Sequence, residues 1–304
     1  MRIVLHGQQA FGKAVLEKLL ERKDNVVAVF CAPDREGRKP DVLKTFAEAN
    51  NLPVHQPKSW KTPEAAELMS KFKPDVCMMA YVTLMVPQNI LDTPTYGTFQ
   101  YHPSLLPEHR GPSSINWPII MGKKETGLTI FWPDEGLDEG PILLQKKIEI
   151  KPDDTLGSLY FNYLSPMGVE AMIEALELVK ESKAPKIEQD HTKATYESWC
   201  KKSDARIDWS KSAAEIYNLI RGSNPQPGAW GEFMGQEVKI FDCSLGGPGS
   251  GNAGEITAIS DEAIHVSAQG GELIITRVRP AGEPKLTIEE WAGKTEISIG
   301  DKFS

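Results

Sequence analysis

Over the first 150 residues, short apolar runs alternate with stretches whose apolar positions recur at helical spacing. That rhythm restricts the chain to repeated βα units around a mostly parallel sheet, because each strand is buried on both faces and returns through a helix. Strands are predicted at 2–5, 26–31, 75–79, 97–101, 128–132 and 142–150. Phe11, Val15, Leu16, Leu19 and Leu20 mark a helix over 11–22, and a weaker pattern marks another over 63–72. Pro112 with the hydroxyls of Ser113 and Ser114 predicts the opening of a third over 112–121. A longer helical segment is expected over 155–181, interrupted at Pro166.

The texture then changes. Residues 183–204 are polar with few periodic apolar positions and read as a linker. One helix is expected over 213–220, then strands at 229–233, 238–243, 254–259, 263–267 and 272–278, with a glycine-rich turn at 246–251. Short strands separated by Gly and Pro turns predict a small OB-like β-barrel. The expected division is a doubly wound α/β domain over 1–200 and a barrel domain over 205–304.

Composition narrows the function classes. The chain has 34 Lys and Arg against 42 Asp and Glu, a net charge of −8, and 205–304 alone holds nine basic and fourteen acidic residues. That is the wrong sign for a domain that wraps phosphate backbones, so no nucleic-acid partner is expected. No apolar run approaches the roughly 20 residues of a membrane helix. The amino end passes from a short apolar segment into a glycine turn without a cleavage-site pattern, and a cytoplasmic location with no membrane partner is expected. Cys31, Cys77, Cys200 and Cys243 form no C-x-x-C pair, and the histidines at 6, 55, 102, 109, 191 and 265 show no ligand spacing. No metal is expected from these patterns.

Three segments carry chemistry-bearing residues. In Gly7-Gln8-Gln9-Ala10-Phe11-Gly12, Gln9 occupies the position where a dinucleotide fingerprint needs its middle glycine, which argues against a nicotinamide cofactor. In the stretch from Gln100 to Pro112, His102 falls at the end of a predicted strand, the edge where open α/β sheets bind ligands. Prolines and a glycine stiffen the loop behind it. Such a histidine is either an acid–base group or a packed ring satisfied by a carbonyl. In Pro133-Asp134-Glu135-Gly136-Leu137-Asp138-Glu139-Gly140-Pro141, glycines two residues before and after Asp138 allow a tight bend that presents the carboxylate. Taken alone, the segment reads equally as an ordinary acidic turn.

Together the last two segments resemble a known family. H-x-S-L-L-P-x-x-R-G followed by G-L-D-x-G is similar to the signature of the formyltetrahydrofolate-using formyltransferases. Ala205-Arg206-Ile207-Asp208-Trp209 and the stretch Ile220-Arg221-Gly222-Ser223-Asn224-Pro225 resemble that family's bridge into a carboxyl-terminal barrel, so the resemblance spans nearly the whole chain. Within it, Tyr101-His102-Pro103, Ile115-Asn116-Trp117 and Ile130-Phe131-Trp132 look most like the hydrolase domain of 10-formyltetrahydrofolate dehydrogenase. One departure is that the family's N-x-H triplet is here Q-Y-H, with Gln100 in place of asparagine. The dehydrogenase's carrier and aldehyde dehydrogenase domains do not follow in this sequence, so dehydrogenation is not expected of it.

The resemblance implies 10-formyltetrahydrofolate as the substrate. Removing its formyl group takes a nucleophile at the formyl carbon, a donor for the oxyanion and a proton for the departing nitrogen. By the resemblance, Asp138 activates the nucleophile, His102 stabilises the oxyanion and protonates the nitrogen, and Gln100 is a second hydrogen-bond donor. Leu84, Met85 and Val86, together with Asp138, are the implied folate-binding residues. The implied reaction is hydrolysis to tetrahydrofolate and formate, the alternative being formyl transfer to an amine of methionyl-tRNA, a sugar nucleotide or a small molecule.

Overall fold

The computed structural model describes residues 1–304. In chain order its elements are β1 (Arg2–Gly7), α1 (Gln9–Glu21), β2 (Asn25–Phe30), α2 (Val42–Ala49), β3 (Val54–His55), α3 (Pro63–Lys71), β4 (Val76–Ala80), α4 (Gln88–Leu91) and β5 (Thr98–His102). There follow α5 (Asn116–Ile120), β6 (Glu125–Phe131), β7 (Ile142–Glu149), α6 (Leu156–Leu159), α7 (Ser165–Lys180) and α8 (Ala213–Gly222). The remainder is β8 (Ala229–Phe233), β9 (Gln236–Leu245), β10 (Ile256–Ile259), β11 (Ile264–Ala268), β12 (Gly271–Pro280), β13 (Leu286–Thr287) and α9 (Ile288–Ala292). No helix is long and apolar enough to cross a membrane.

Two units divide these elements. One comprises Met1–Ser114, Gly127–Ile148 and Phe161–Glu197; the other comprises Ile115–Thr126, Glu149–Tyr160 and Ser198–Ser304. Thus α5 and α6 belong with the carboxyl-terminal strands, although a cut at residue 200 leaves them before it.

The first unit is built on a sheet of order β3-β2-β1-β4-β5-β6-β7. Pairing is parallel from β3 to β5 and antiparallel between β5 and β6. Successive side chains on a strand point to opposite faces, so the apolar runs feed two cores. Ile3, Leu5, Met78, Phe99 and Tyr101 pack with Phe11, Leu16 and Leu19 of α1 and Met172 and Leu176 of α7. Val4, Cys77 and Met79 pack on the other face with Trp60, Met69 of α3 and Ile90 of α4. Each large side chain so buried contributes about 1.5–3 kcal/mol. The doubly wound α/β architecture is therefore as expected.

Several local expectations are corrected. The elements α2, β3 and α4 lie in stretches for which no element was expected; α2 is short and starts at Asp41, whose carboxylate caps the Leu43 amide. The helix expected over 112–121 is confined to α5. Arg110 pairs with the 195–197 segment through Arg110 N–H to Thr195 O (3.0 Å) and Glu197 N–H to Arg110 O (3.1 Å). Ser113 and Ser114 are buried, and α5 has no side-chain cap. The segment read as a linker is structured up to Glu197 as part of the first unit, with Ile187 bridged to Ile142 and Tyr196 to Arg110. Residues 155–181 form α6, a π-turn over Tyr160–Leu164 and α7. The irregularity precedes Pro166, which sits in the first turn of α7, where a missing N–H costs nothing.

In the second unit, α8 opens on a capping box between Ser212 and Glu215 and buries Ile216 and Ile220. The sheet order is β10-β11-β12-β9-β8, with β13 on β12, and the recorded pairs are antiparallel. The last residues lie between the two end strands: Glu232 and Ser304 exchange backbone hydrogen bonds of 2.7 and 2.8 Å, and Phe303 N–H donates to Gly254 O at 2.9 Å. This closes the antiparallel sheet into a small barrel around Ile240, Val266, Leu273, Ile275, Trp291 and Phe303.

Candidate functional site

The order of the first sheet reverses between β1 and β4, and open α/β sheets bind ligands at the carboxyl ends of the strands beside such a reversal. Here the backbones approach closely, and a Cβ on Gly7 would lie 2.5 Å from Ala80 O. Gln9 follows with φ 59, its N–H held by both oxygens of Asp41 at 2.9 Å. Tyr81, at φ 65, leads from β4 into the loop that carries Leu84, Met85 and Val86. Leu84 and Met85 are 45% and 54% exposed, open to a ligand; Val86, at 8%, is packed in the core with Trp60 and Met79. Val86 can therefore offer a ligand only its backbone.

At the end of β5, alternation puts Phe99 and Tyr101 into one core and turns Gln100 and His102 to the opposite face. Gln100 is half-buried, in register with Met79 and Phe131. His102 is buried, with its ring edge-on to Phe131 at 6.4 Å between centroids. Its Nε2 lies 2.9 Å from the carbonyl of His109. A carbonyl only accepts, so Nε2 carries the proton and donates, and Nδ1 is the nitrogen left to act. The loop behind the ring is braced by Thr129, whose hydroxyl donates to Ser104 O (2.7 Å) and accepts from Leu106 N–H (3.1 Å).

Nδ1 of His102 faces Oδ2 of Asp138 at 3.6 Å. That is too long for a direct hydrogen bond and suits an ion pair or an oxygen that bridges the two from beside them. Both side chains are nearly buried, and Asp138 Oδ2 also accepts the Gly111 N–H at 2.9 Å. The structure thus brings together the two residues that the sequence placed on separate segments. The bend at Asp138 differs from expectation in its cause. Asp138 itself takes the left-handed conformation, φ 56, whereas the flanking glycines serve close approach: a Cβ on Gly140 would stand 1.8 Å from Trp132 O.

Sequence reasoning missed the residues that surround this pair. Arg110, 1% exposed, donates through Nε and Nη2 to Gln189 Oε1 at 3.2 and 2.7 Å. Its Nη1 donates to the Tyr196 hydroxyl, which donates in turn to Glu139 Oε1 at 2.5 Å. Hydrogen bonding to the Glu139 carboxylate pushes the Tyr196 phenol above its ordinary range. Buried His109 and part-buried Glu197 form a second pair, Nδ1 to Oε1 3.2 Å, beside the carbonyl that holds His102. Gln189, Tyr196 and Glu197 all lie in the stretch read as linker. Their only signal in the sequence is polarity, which a loop shares.

Comparison with known proteins bears on the family and the fold. Residues 1–176 match the model described as formyl transferase, and residues 200–295 match formyl transferase, C-terminal domain. The chain is 42% identical over 250 residues to mitochondrial 10-formyltetrahydrofolate dehydrogenase of Mus musculus, a match covering 81% of this chain but 27% of that protein. It is 35% identical over 308 residues to methionyl-tRNA formyltransferase of Geotalea daltonii, covering 100% of this chain and 98% of that one. Among solved structures, HypX from Aquifex aeolicus in complex with tetrahydrofolic acid superposes with a TM-score of 0.71 at 21% identity, over 99% of this chain and 48% of that one. An N-formyltransferase from Helicobacter canadensis gives 0.69 at 21%, over 94% and 100%. At such identities the structural likeness carries the fold alone, but the two family models and the full-length relative carry more: this chain is a member of the formyl transferase family.

Proposed function

We propose that the protein hydrolyses 10-formyltetrahydrofolate to tetrahydrofolate and formate, and the observation that carries this is the facing of His102 Nδ1 and Asp138 Oδ2 across 3.6 Å. An oxygen placed beside the pair, within hydrogen-bond reach of both groups, bridges base and acid. Asp138 takes a proton from water as the water oxygen bonds to the formyl carbon. The oxyanion that forms is met by His102, with Gln100 as the second donor. The proton taken by Asp138 passes to His102 Nδ1, whose N–H meets the oxyanion and then protonates the folate nitrogen as the carbon–nitrogen bond breaks, leaving Asp138 ionised. Leu84 and Met85, exposed beside the β1/β4 reversal, suit the apolar wall of a pterin slot, with Val86 contributing backbone. The identity to 10-formyltetrahydrofolate dehydrogenase favours water as the nucleophile.

One observation favours a second reading, transfer of the formyl group to an amine: the match to methionyl-tRNA formyltransferase spans 98% of that enzyme. The same His102 and Asp138 serve, with the amine in the place of water. The acidic balance of 205–304 weighs against tRNA and leaves a sugar nucleotide or small amine as acceptor. Four cysteines outside any disulfide, two of them buried, fit a reducing compartment, and we propose a cytoplasmic location. The test is incubation with 10-formyltetrahydrofolate alone, following tetrahydrofolate by absorbance and formate by a coupled assay. Multiple-turnover formate release, lost in Asp138→Ala, supports the hydrolase; tight folate binding with no release until an amine is added supports the transferase.

A further inference from the structure

We propose that Gln189 is the positioning residue for Asp138, so that one buried amide sets the geometry of the reaction from 51 residues away. The proposal rests on the role given to Asp138 above. The Nε2 of Gln189 donates to the carbonyl of Asp138 at 2.9 Å and to that of Gly140 at 2.7 Å. These carbonyls flank the bend in which Asp138 holds a left-handed conformation, one that costs an aspartate energy and persists only where its surroundings impose it. The orientation of the amide is itself determined. The guanidinium of Arg110 can only donate, so it claims Oε1 through two N–H groups and leaves both hydrogens of Nε2 for the loop. Gln189 and Arg110 are both buried, with no water to substitute for either partner at low cost. Arg110 precedes Gly111, whose N–H donates to Asp138 Oδ2. The backbone and the carboxylate of Asp138 are therefore held from two sides by one connected set of hydrogen bonds.

The decisive variant is Gln189→Glu. A carboxylate keeps the acceptor that the Arg110 guanidinium needs, so its buried charge stays paired, but it turns an acceptor toward the two loop carbonyls and removes both donors. The expected result is a fall in kcat of about 100-fold with KM within about threefold, since displacement of a reacting group by ~1 Å costs on that order. Amide hydrogen exchange at Gly111 supplies a readout independent of turnover: release of Asp138 lowers the protection of that N–H at least tenfold, to the level found in Asp138→Ala. Gln189→Asn, which keeps the amide on a shorter arm, is expected to fall between the parent and Gln189→Glu in both readouts. It takes the place of the glutamate variant should that fail to fold. A folded Gln189 variant with kcat within threefold of the parent, or with Gly111 protection unchanged, overturns the proposal. Absence of turnover in the parent itself would overturn the proposed function instead, and the exchange at Gly111 would still decide the role of Gln189.

Discussion

Left-handed backbone at residues other than glycine occurs in two kinds of place in this molecule. Lys23, Asn51, Lys73 and Ser182 lie just past the carboxyl ends of α1, α2, α3 and α7, and Met234 lies in the tight turn between β8 and β9. Helix ends and two-residue hairpins require that conformation, and glycine commonly fills it. Gln9, Tyr81, His109 and Asp138 belong to none of these. Gln9 opens α1 directly after β1, and Tyr81, His109 and Asp138 sit in the loops that follow β4, β5 and β6, at or beside the residues of the candidate site. At the first kind of position strain is a by-product of turning the chain. At the second it aims a side chain or carbonyl, and the surrounding hydrogen bonds hold it there.

This contrast is open to direct attack. Asp138→Gly relieves the backbone yet is expected to lower turnover by about 1,000-fold while folate binding persists, as is His102→Ala; turnover within a few-fold of the parent in either would break the mechanism. Gly111→Ala places a Cβ 2.3 Å from Glu197 O at φ +104 and is expected to cost about 3 kcal/mol in urea unfolding, with turnover falling as Asp138 loses its donor. His6, buried beside Trp60 with its pKa lowered to about 3 by desolvation, gives a third, smaller effect. The unfolded chain binds a proton near pH 6.5 that the folded chain refuses until about pH 3, so stability is full above 6.5 and is lost as pH falls through that window. Between pH 6.5 and 4.5 the parent is expected to lose about 2 kcal/mol more than His6→Leu. Equal losses would remove His6 from the acid response. Lys73→Gly, at a helix end, is expected to gain roughly 0.5–1 kcal/mol with turnover unchanged, whereas relief of the same strain at Asp138 costs turnover. A loss of activity there would erase the distinction between the two kinds of strain.

How far the sequence could be read follows a related line. Strands such as 2–5 and 75–79 and the helix beginning at Phe11 were legible because burial on defined faces leaves a period in the chain. His102 and Asp138 were legible as candidates because each sits in a local pattern of glycines and prolines, and the family resemblance joined them. Gln189, Arg110 and Glu197 act through partners 49 to 88 residues away, and no local period encodes such a pairing. A polar run that packs against a site is indistinguishable from a polar run in water until its partners are known. The helix expected over 112–121 failed for a similar reason, since the pairing of Arg110 with residues 195–197 outweighs the local preference of Pro112 and the serines.

The closure of the barrel by Asp301–Ser304 has a consequence for the edges of its sheet. An open antiparallel sheet presents two rows of unpaired backbone groups, and each is a template for the strand of another molecule. In this unit the carboxyl-terminal segment occupies both β8 and β10 at once, through Glu232, Gly254 and Ile256. Four residues thereby cover part of each template, and at these positions neither edge offers its backbone groups to the strand of another molecule.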